Sequence, residues 1–300
     1  MVKQPWVRKA AVTLPFVRDL AWRFVAGEDL DAGLATVRAL NAAGIGGTLN
    51  HVGTHVRTEA GAVAAADVAV ESLRRIHREK VDANLSLKLT EIGLDVDDGL
   101  CREQLRRILD CAREVGNFVR VDMEESSYVP RTLALFEEMQ ASHGPDTVGV
   151  VLQSYLRHRG ADLDRLLAGG ARIRIVKGGY WESPAVVHRR RADVTAAFLR
   201  DVSLLLVRGR RPAIATHDPR AVEEACRVAA EAGIPPRGFE FQMLLGVARP
   251  LQQSLLREGY AVRCYVPWGD GWYEYFLGCA RRVPGGALRR IGERFQFHDT

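Results

Sequence analysis

The sequence predicts one parallel (β/α)8 barrel of the TIM type, an α/β fold, and three observations support this. The chain has 300 residues, and such a barrel takes about 250. Eight short apolar segments with strand character are spread along it. The segments between them repeat apolar residues at helical spacing, as in Leu105, Ile108 and Ala112. No Pro-, Gly- or Ser-rich linker interrupts them, so we predict a single domain over residues 1–300. A doubly wound sheet is the alternative.

A helical region over about residues 16–40 precedes the first strand. The strands are predicted at Gly46–Asn50, Leu85–Leu89, Phe118–Asp122, Val148–Gln153, Arg172–Val176, Pro212–Thr216, Phe239–Met243 and Ala261–Tyr265. Helices that return the chain between parallel strands place all eight carboxyl ends at one end of the barrel, where barrel enzymes carry their active sites.

Composition narrows the class of protein. Hydrophobic residues make up 47% and charged residues 26%, which is typical of soluble globular proteins. The net charge of +5 includes no block of five or six basic residues, so nucleic-acid binding is not expected. No apolar run approaches the roughly 20 residues of a membrane helix, and the N-terminus has no signal-peptide core. Five dispersed cysteines indicate reduced thiols and a cytoplasmic location. We predict no metal site, because His51 and His55 have no acidic residue following in register.

Every predicted strand finishes on a hydrogen-bonding or charged side chain. These residues are Asn50, Lys88, Asp122, Gln153, Lys177, His217, Gln242 and Tyr265. Some polarity is expected wherever a strand leaves the core, but two of only five lysines in the chain stand here. The set therefore predicts a functional site at the carboxyl end of the barrel.

Lys88 and Asp122 end neighbouring strands, so we expect them to pair across the mouth of the barrel. Pairing would stabilise both charged forms, either as catalytic groups or as a structural ion pair. A lysine that forms a Schiff base needs a depressed pKa in an apolar pocket. The facing Asp122 disfavours that chemistry.

The segment from Arg172 to Glu182 has the strongest ligand-binding character. Alternation places Arg172 and Arg174 on one face of their strand, and an inward arginine is costly unless it meets an anion or polar cofactor. Gly178 permits close approach of the backbone to a ligand. Aromatic surfaces follow at Tyr180 and Trp181. A later strand ends at Thr216 and His217 before a helix N-terminus, which is suited to phosphate.

Seven ordered motifs resemble the flavin-dependent proline dehydrogenases over most of the chain. They are LSLKLTEIGL, VRVDMEESSYVPRTL, VGVVLQSYL, RIRIVKGGYWE, IATHD, FEFQMLLG and YVPWGDGWYEYF. The resemblance implies a distorted (β/α)8 barrel whose last helix sits above the active site, with FAD as hydride acceptor.

The resemblance also implies roles for particular residues. Gln153 would contact the flavin pyrimidine edge, Arg174 would lie near flavin N5 with Lys177 close by, and Trp181 would stack on adenine. Thr216 and His217 would contact the ribose and pyrophosphate. Gly178, Tyr180 and Gln242 complete the expected cofactor site, and the substrate pocket would contain Lys88, Asp122, Leu244 and Tyr265.

The chain departs from the family at its substrate anchor. The family has an arginine pair for the substrate carboxylate where this chain has Gly278 and Cys279. Acidic residues of the family are also replaced, at Asn50 and Thr54. Arg281 and Arg282 follow one helical turn later, and we expect them to serve as a displaced anchor.

We therefore predict a FAD-dependent dehydrogenase acting on the C–N unit of a proline-like amino acid, or on a related amine or N–N compound, with poor use of free L-proline. The alternatives are a proline dehydrogenase that uses the displaced arginines, a non-catalytic flavin-binding relative, and a Lys88-dependent lyase. The electron acceptor, quinone or oxygen, is left open, as are peripheral membrane contact and homo-oligomer formation.

Overall fold

Eight parallel strands close into a barrel in the order of the chain. The computed structural model describes residues 15–53, 56–157 and 159–282, with the side chains of residues 15–17 and 279–282 left out. The strands are β1 Gly46–His51, β2 Ala83–Leu87, β3 Val119–Val121, β4 Val148–Gln153, β5 Arg172–Val176, β6 Ala213–Ala215, β7 Glu240–Leu244 and β8 Ala261–Trp268. The barrel prediction is confirmed, and the doubly wound sheet is wrong, because β1 pairs with β8 along its whole length.

Ten helices alternate with these strands among the described residues. They are α1 Pro15–Ala21, α2 Leu30–Ala42, α3 Glu59–Glu79, α4 Asp98–Glu114, α5 Val129–His143, α6 Gly160–Ala168, α7 Arg191–Arg208, α8 Pro219–Glu231, α9 Arg249–Arg257 and α10 Trp272–Arg282. Short 3-10 turns follow β2 at Leu89–Ile92 and β3 at Ser126–Tyr128. The predicted N-terminal helical region is two helices, α1 and α2. None of the described helices is long and apolar enough to cross a membrane.

The helices form because apolar residues recur on one face and side chains cap their first turns. In α4, the buried residues include Leu105, Ile108 and Ala112, and Asp97 accepts from the backbone N–H of Leu100. Burying this stripe against the barrel exterior stabilises the helix, since each large apolar side chain contributes about 1.5–3 kcal/mol. The core therefore lies between strands and helices, which leaves the barrel interior for other side chains.

A second apolar cluster covers the carboxyl end of the barrel near β8. It joins α1 and α10 through buried residues that include Phe24, Trp272 and Phe276. The backbone between α1 and α2 is fixed there, because Ala26 N–H donates to Pro267 and Gly269 N–H donates to Gly27. This arrangement places α10, the last described helix, over the end of the barrel where the polar residues gather.

Candidate functional site

The barrel interior is polar, whereas the interior of this fold is ordinarily filled by layers of branched apolar side chains. Alternation defines the inward positions, and close contacts agree: a Cβ added to Gly46 would meet Arg263, and one added to Gly149 would meet Arg120. The inward charged residues of the strands are Arg120, Asp122, Arg172, Arg174, Glu240 and Arg263. Four arginines thus face two carboxylates, which leaves an excess of positive charge in this part of the described structure.

Asp122 is the centre of a buried cluster. Its Oδ1 accepts from Ser86 Oγ at 2.6 Å and from Arg174 Nη2, and its Oδ2 accepts from the Tyr265 hydroxyl at 2.6 Å. Burial and the charge of Asp122 raise the pKa of Tyr265 well above its ordinary value, so the phenol stays protonated and donates. Three of the predicted site residues, Asp122, Arg174 and Tyr265, are therefore in direct contact.

Arg174 also connects to residues deeper in the barrel. Its Nη1 donates to Gln242 Oε1 at 3.1 Å, and the Gln242 amide in turn donates to Glu240. The prediction that Gln242 and Tyr265 end their strands is wrong. Strand β7 continues to Leu244 and β8 to Trp268, so both side chains lie inside the barrel.

Arg120 was not among the predicted site residues, although it lies beside this cluster. The side chain is 1% exposed, and its Nη1 donates to the backbone carbonyls of Arg172 at 2.6 Å and Val150 at 3.4 Å. Burial, and then the charge of Arg174, lower its pKa well below the ordinary value. The guanidinium is held by carbonyl oxygens and by the Phe118 ring, whose centroid is 4.7 Å away.

The predicted pairing of Lys88 with Asp122 is wrong. Strand β2 ends at Leu87, and Lys88 begins the 3-10 turn, where its Nζ lies 3.0 Å from Glu91 Oε1. Lys88 pairs with Glu91 because that carboxylate is only three residues away on the same turn. Asp122 already forms an ion pair with Arg174. Burial acts to lower the pKa of Lys88, but the charges of Glu91 and Asp122 outweigh it and the pKa lies above its ordinary value.

Gln153 ends β4 beside the cluster, as predicted. Its Nε2 donates to the backbone carbonyls of Met123 at 3.1 Å and Glu124 at 2.9 Å, which fixes the amide orientation. Its Oε1 is buried and has no protein partner. The Glu124 carboxylate itself accepts from Thr90 Oγ1 at 2.6 Å, and burial raises the pKa of Glu124 to about 7.

Lys177, Thr216 and His217 gather at the ends of β5 and β6. Lys177 Nζ lies 2.8 Å from the carboxylate of Asp218, the residue that caps the N-terminus of α8. Thr216 Oγ1 accepts from the backbone N–H of Asp218 at 3.2 Å. His217 Nε2 accepts from the Leu244 N–H at 2.9 Å, and burial lowers the pKa of His217 to about 4. The imidazole is therefore neutral, with its proton on Nδ1.

The loop after β5 carries the predicted aromatic residues. Gly178 has φ of +99°, and a Cβ there would lie 2.2 Å from the Tyr155 ring, so this glycine is required by packing against Tyr155. Tyr180 lies near enough to Lys88 to act on the pKa of that lysine. Trp181 is 92% exposed, with the Arg189 guanidinium 5.4 Å from its ring centroid.

Glu182 anchors this loop to the 3-10 turn that follows β3. Its carboxylate accepts from Ser126 Oγ at 2.9 Å and from the Ser126 backbone N–H at 2.5 Å. The backbone N–H of His188 donates to Tyr155 at 2.8 Å on the other side. At the start of the loop, the backbone N–H of Tyr155 donates to the Lys177 carbonyl at 2.9 Å, so Trp181 projects into solvent from a loop that is fixed on both sides of it.

Helix α10 approaches the cluster from above. Besides burial and Asp122, Tyr275 acts on the pKa of Tyr265, which places the first turns of α10 beside the site. A Cβ added to Gly278 would meet no atom of the described part of the chain within 4 Å. The helix continues to Arg282, but the side chains of Cys279, Arg281 and Arg282 lie outside the described residues, as does Thr54, so the displaced anchor stays a prediction.

The residues missed from sequence share one signal. Four predicted site residues are each preceded, two positions earlier, by another polar residue: Ser86 before Lys88, Arg120 before Asp122, Glu240 before Gln242 and Arg263 before Tyr265. A spacing of two places both members of each pair on the same face of a strand. Polarity at two successive inward positions therefore indicated a polar barrel interior as well as a polar mouth.

A closed parallel barrel with a polar cluster around Asp122 toward its carboxyl end is the arrangement found in (β/α)8 enzymes. The family model described as "Proline dehydrogenase" matches residues 33–272. Among curated proteins, the chain is 37% identical over 272 residues to a proline dehydrogenase of Deinococcus radiodurans, covering 90% of this chain and 88% of that protein. It is 34% identical over 274 residues to proline dehydrogenase 1 of Bacillus subtilis (strain 168), covering 91% and 86%.

The chain belongs to the proline dehydrogenase family, whose members are flavin-dependent oxidoreductases acting on CH–NH groups. Among solved structures, proline utilization A from Bdellovibrio bacteriovorus, inactivated by N-propargylglycine, superposes with a TM-score of 0.86 over 98% of this chain. At 23% identity that similarity shows the fold alone, and the match spans 35% of the longer protein. The predicted family and fold are thus confirmed.

Proposed function

We propose that this chain binds FAD at the carboxyl end of the barrel and oxidises the C–N unit of a proline-like amino acid, or of a related amine or N–N compound. The observation that carries the proposal is the Asp122–Arg174–Tyr265 cluster near Gln153, in which Asp122 and Arg174 are buried and Tyr265 is half-buried. It occurs in a chain that is 37% identical to a protein named proline dehydrogenase. Free L-proline is expected to be a poor substrate.

Two buried polar atoms support a cofactor beside the cluster. Gln153 Oε1 and Arg174 Nε both lack partners among the described residues, although Gln153 and Arg174 are only 2% and 5% exposed. Unpaired buried polar groups are costly, so they are usually completed by water or a ligand. An acceptor on β4 and a donor on the adjacent β5 suit the pyrimidine edge and the N5 region of a flavin, respectively.

The other end of FAD would lie across β5 and β6. The N-terminus of α8 offers partial positive charge to phosphate, and Thr216 O–H and His217 Nδ1–H are donors beside it. Trp181 offers an exposed ring face to adenine, and Lys177 adds a cation whose position is fixed by Asp218. These residues fit the cofactor that the family uses.

When bound, the flavin supplies a hydride acceptor for the carbon next to the substrate nitrogen. The protein residues supply orientation and electrostatics. Tyr265 stays a neutral donor because its pKa is raised, and Asp122 fixes both the phenol and the Arg174 guanidinium. The apolar cluster that joins α1 and α10 would help to exclude water from this end of the barrel.

The substrate preference follows from Gly278 and Cys279. An arginine fork binds a carboxylate through charge-assisted hydrogen bonds, each contributing about 1.5–3 kcal/mol. Gly278 offers no charge, and the space beside it is open. We expect the preferred substrate to carry its acidic group further from the oxidised carbon, within reach of Arg281 or Arg282, or to be uncharged there.

A lyase that forms a Schiff base through Lys88 is disfavoured by the electrostatics. Such a lysine needs a depressed pKa, and the carboxylates of Glu91 and Asp122 raise the pKa of Lys88 instead. Lys88 is better suited to hold a negative charge near the cluster.

The proposal is tested by titrating the purified protein with FAD and then screening substrates under anaerobic conditions. The panel contains L-proline, hydroxyprolines, proline esters and hydrazine-type acids. Bleaching of the flavin by one of these, with L-proline the slower substrate, supports the proposal. Flavin that binds but is never bleached identifies a non-catalytic relative, and a protein that takes up no FAD contradicts the proposal altogether.

A further inference from the structure

Glu240 stands at the start of a directed chain of hydrogen bonds that ends at the Asp122 cluster. Arg263 Nε donates to Glu240 Oε2 at 3.0 Å, and the Gln242 Nε2 donates to Glu240 Oε1. Gln242 Oε1 then accepts from Arg174 Nη1 at 3.1 Å. Glu240 is the first residue of β7, in the half of the barrel away from the mouth, and among the described residues its side-chain partners are Gln242 and Arg263 rather than Asp122 or Arg174.

The direction of this chain depends on the ionised state of Glu240. Burial acts to raise the pKa of Glu240, but the charge of Arg263 outweighs it and the pKa lies below its ordinary value. An ionised carboxylate only accepts hydrogen bonds. The Gln242 amide must therefore turn its NH2 group toward Glu240, which leaves its carbonyl oxygen facing Arg174.

We propose that Glu240 is a positioning residue for Arg174 and acts through the Gln242 amide. Because the Gln242 oxygen accepts from Nη1 and Asp122 accepts from Nη2, the plane of the guanidinium is fixed, and its Nε is left without a partner among the described residues. The kinetic consequence rests on the proposed function. The geometric consequence does not, because it concerns only side chains of this protein.

The variant Glu240→Gln keeps a side chain of the same length but removes the carboxylate that sets the direction of the hydrogen bonds. Arg263 still donates to the oxygen of the new amide, so the amide NH2 faces Gln242. Gln242 must then turn its oxygen toward residue 240, and its NH2 group meets the Arg174 guanidinium. We expect Arg174 to lose its Gln242 partner and to change orientation.

The double variant Glu240→Gln/Gln242→Glu is the matched control. It has the same composition as the wild type at these two positions and the same interior charge, but the carboxylate now stands next to Arg174. The new amide at 240 donates to the carboxylate at 242, which also accepts from Arg174. The Arg263–Glu240 ion pair is lost in both the single and the double variant, so a merely structural role predicts the same defect in both.

Crystal structures of the three proteins give the direct readout. The proposal expects Arg174 to be displaced in Glu240→Gln and restored in the double variant, while both variants have a lowered Tm. In the FAD-loaded enzyme, we expect kcat for the best substrate to fall about tenfold in the single variant, equivalent to one charged hydrogen bond. The double variant should recover most of it.

An unmoved Arg174 in Glu240→Gln, or a double variant as displaced and as slow as the single one, overturns the proposal. If Glu240→Gln does not fold, Gln242→Met removes the connecting amide and keeps the Arg263–Glu240 pair. The proposal then requires Arg174 to be displaced in Gln242→Met, and an unmoved guanidinium overturns it. Failure of FAD to bind would count against the proposed function and leave the crystallographic result to decide this inference.

Discussion

The Tyr265 hydroxyl donates to Asp122 Oδ2 at 2.6 Å across the interior of the barrel. Tyr265 lies on β8 and Asp122 directly follows β3, and these two strands are far apart in the order of strands around the barrel. Ser86 and Arg174 bind the other carboxylate oxygen. One carboxylate thus connects side chains from three strands, and the loss of any donor leaves a buried charge less well satisfied.

Tyr265→Phe is expected to destabilise the protein by about 1.5–3 kcal/mol, the range for hydrogen bonds to charged groups. The measurement is the free energy of unfolding in denaturant. Tyr128→Phe is the matched control, because the Tyr128 hydroxyl also donates to a carboxylate, that of Asp95 at 2.9 Å, but in a hydrogen bond that is exposed to solvent. The control should change stability by about 0.5 kcal/mol or less. Equal losses of stability in the two variants would show that the Tyr265–Asp122 hydrogen bond contributes no more than the solvent-exposed one.

Glu124 should make part of the stability fall as pH rises. Burial raises its folded pKa from 4.5 to about 7. Between these values the folded state keeps a proton that the unfolded state releases, so stability is lost as pH rises through this window. The effect is at most about 3 kcal/mol. We expect the stability of the wild type minus that of Glu124→Gln to decline from pH 4.5 to pH 7. A flat difference across this window would contradict the assignment.

His217 should make part of the stability fall as pH decreases, which is opposite to the effect of Glu124. Burial lowers its folded pKa from 6.5 to about 4. Between these values the unfolded state binds a proton on His217 and the folded state does not, so stability is lost as pH falls through this window. The loss is at most about 3 kcal/mol. His217→Gln keeps an acceptor for the Leu244 N–H and does not titrate. The Tm of the variant without added FAD should vary less with acidification than that of the wild type, and parallel curves would be evidence against this role.

The sequence predicted the fold because its strands are short and regularly spaced. The bounds of β4 and β5 are correct to the residue, and β1 is one residue longer than predicted. Strand β2 begins and ends two residues earlier than predicted, since the chain turns at Lys88 into a 3-10 helix. That turn begins with a side-chain and backbone pairing between Lys88 and Glu91, which periodicity does not reveal.

The positions of the candidate-site side chains were predicted where they depend on the strand that carries them. The hydrogen-bond and ion-pair partners of these side chains were not predicted. Alternation correctly placed Arg174 inward, yet it could not show whether Arg174 or Lys88 reaches Asp122. That choice depends on the arrangement of β2, β3 and β5 around the barrel and on the competing carboxylate of Glu91. Glu240 and Arg263 were not predicted because they stand two positions before the polar residues at the predicted strand ends, Gln242 and Tyr265.

Trp181→Ala is expected to weaken FAD binding by about tenfold or more, because stacking of a base on an aromatic ring contributes about 1–3 kcal/mol. The side chain is 92% exposed, so thermal stability without FAD should hardly change. Flavin titration monitored by fluorescence gives the dissociation constant. Val207→Ala, at a position that is 65% exposed on α7, is the control and should leave both quantities unchanged. A dissociation constant for Trp181→Ala equal to that of the wild type would place adenine elsewhere.

Gly278→Arg is expected to improve the use of L-proline. Tyr275 acts on Tyr265, and Gly278 is three residues further along α10, so it lies on the same side of the helix. The space beside it is open, so a long side chain can be placed there without a clash at Cβ. A new charged hydrogen bond to the substrate carboxylate should lower KM for L-proline by about tenfold or more.

Gly278→Ala separates this effect from that of helix propensity. Replacing a helical glycine by alanine should itself stabilise the protein by about 1 kcal/mol, and the arginine variant should gain most of that stability as well. Only the arginine can bind the carboxylate, so steady-state kinetics with L-proline and with proline methyl ester should show the gain for the acid alone. If Gly278→Arg matches Gly278→Ala on both substrates, the missing arginine is not what limits the use of proline, and the anchor must be sought at Arg281 or Arg282.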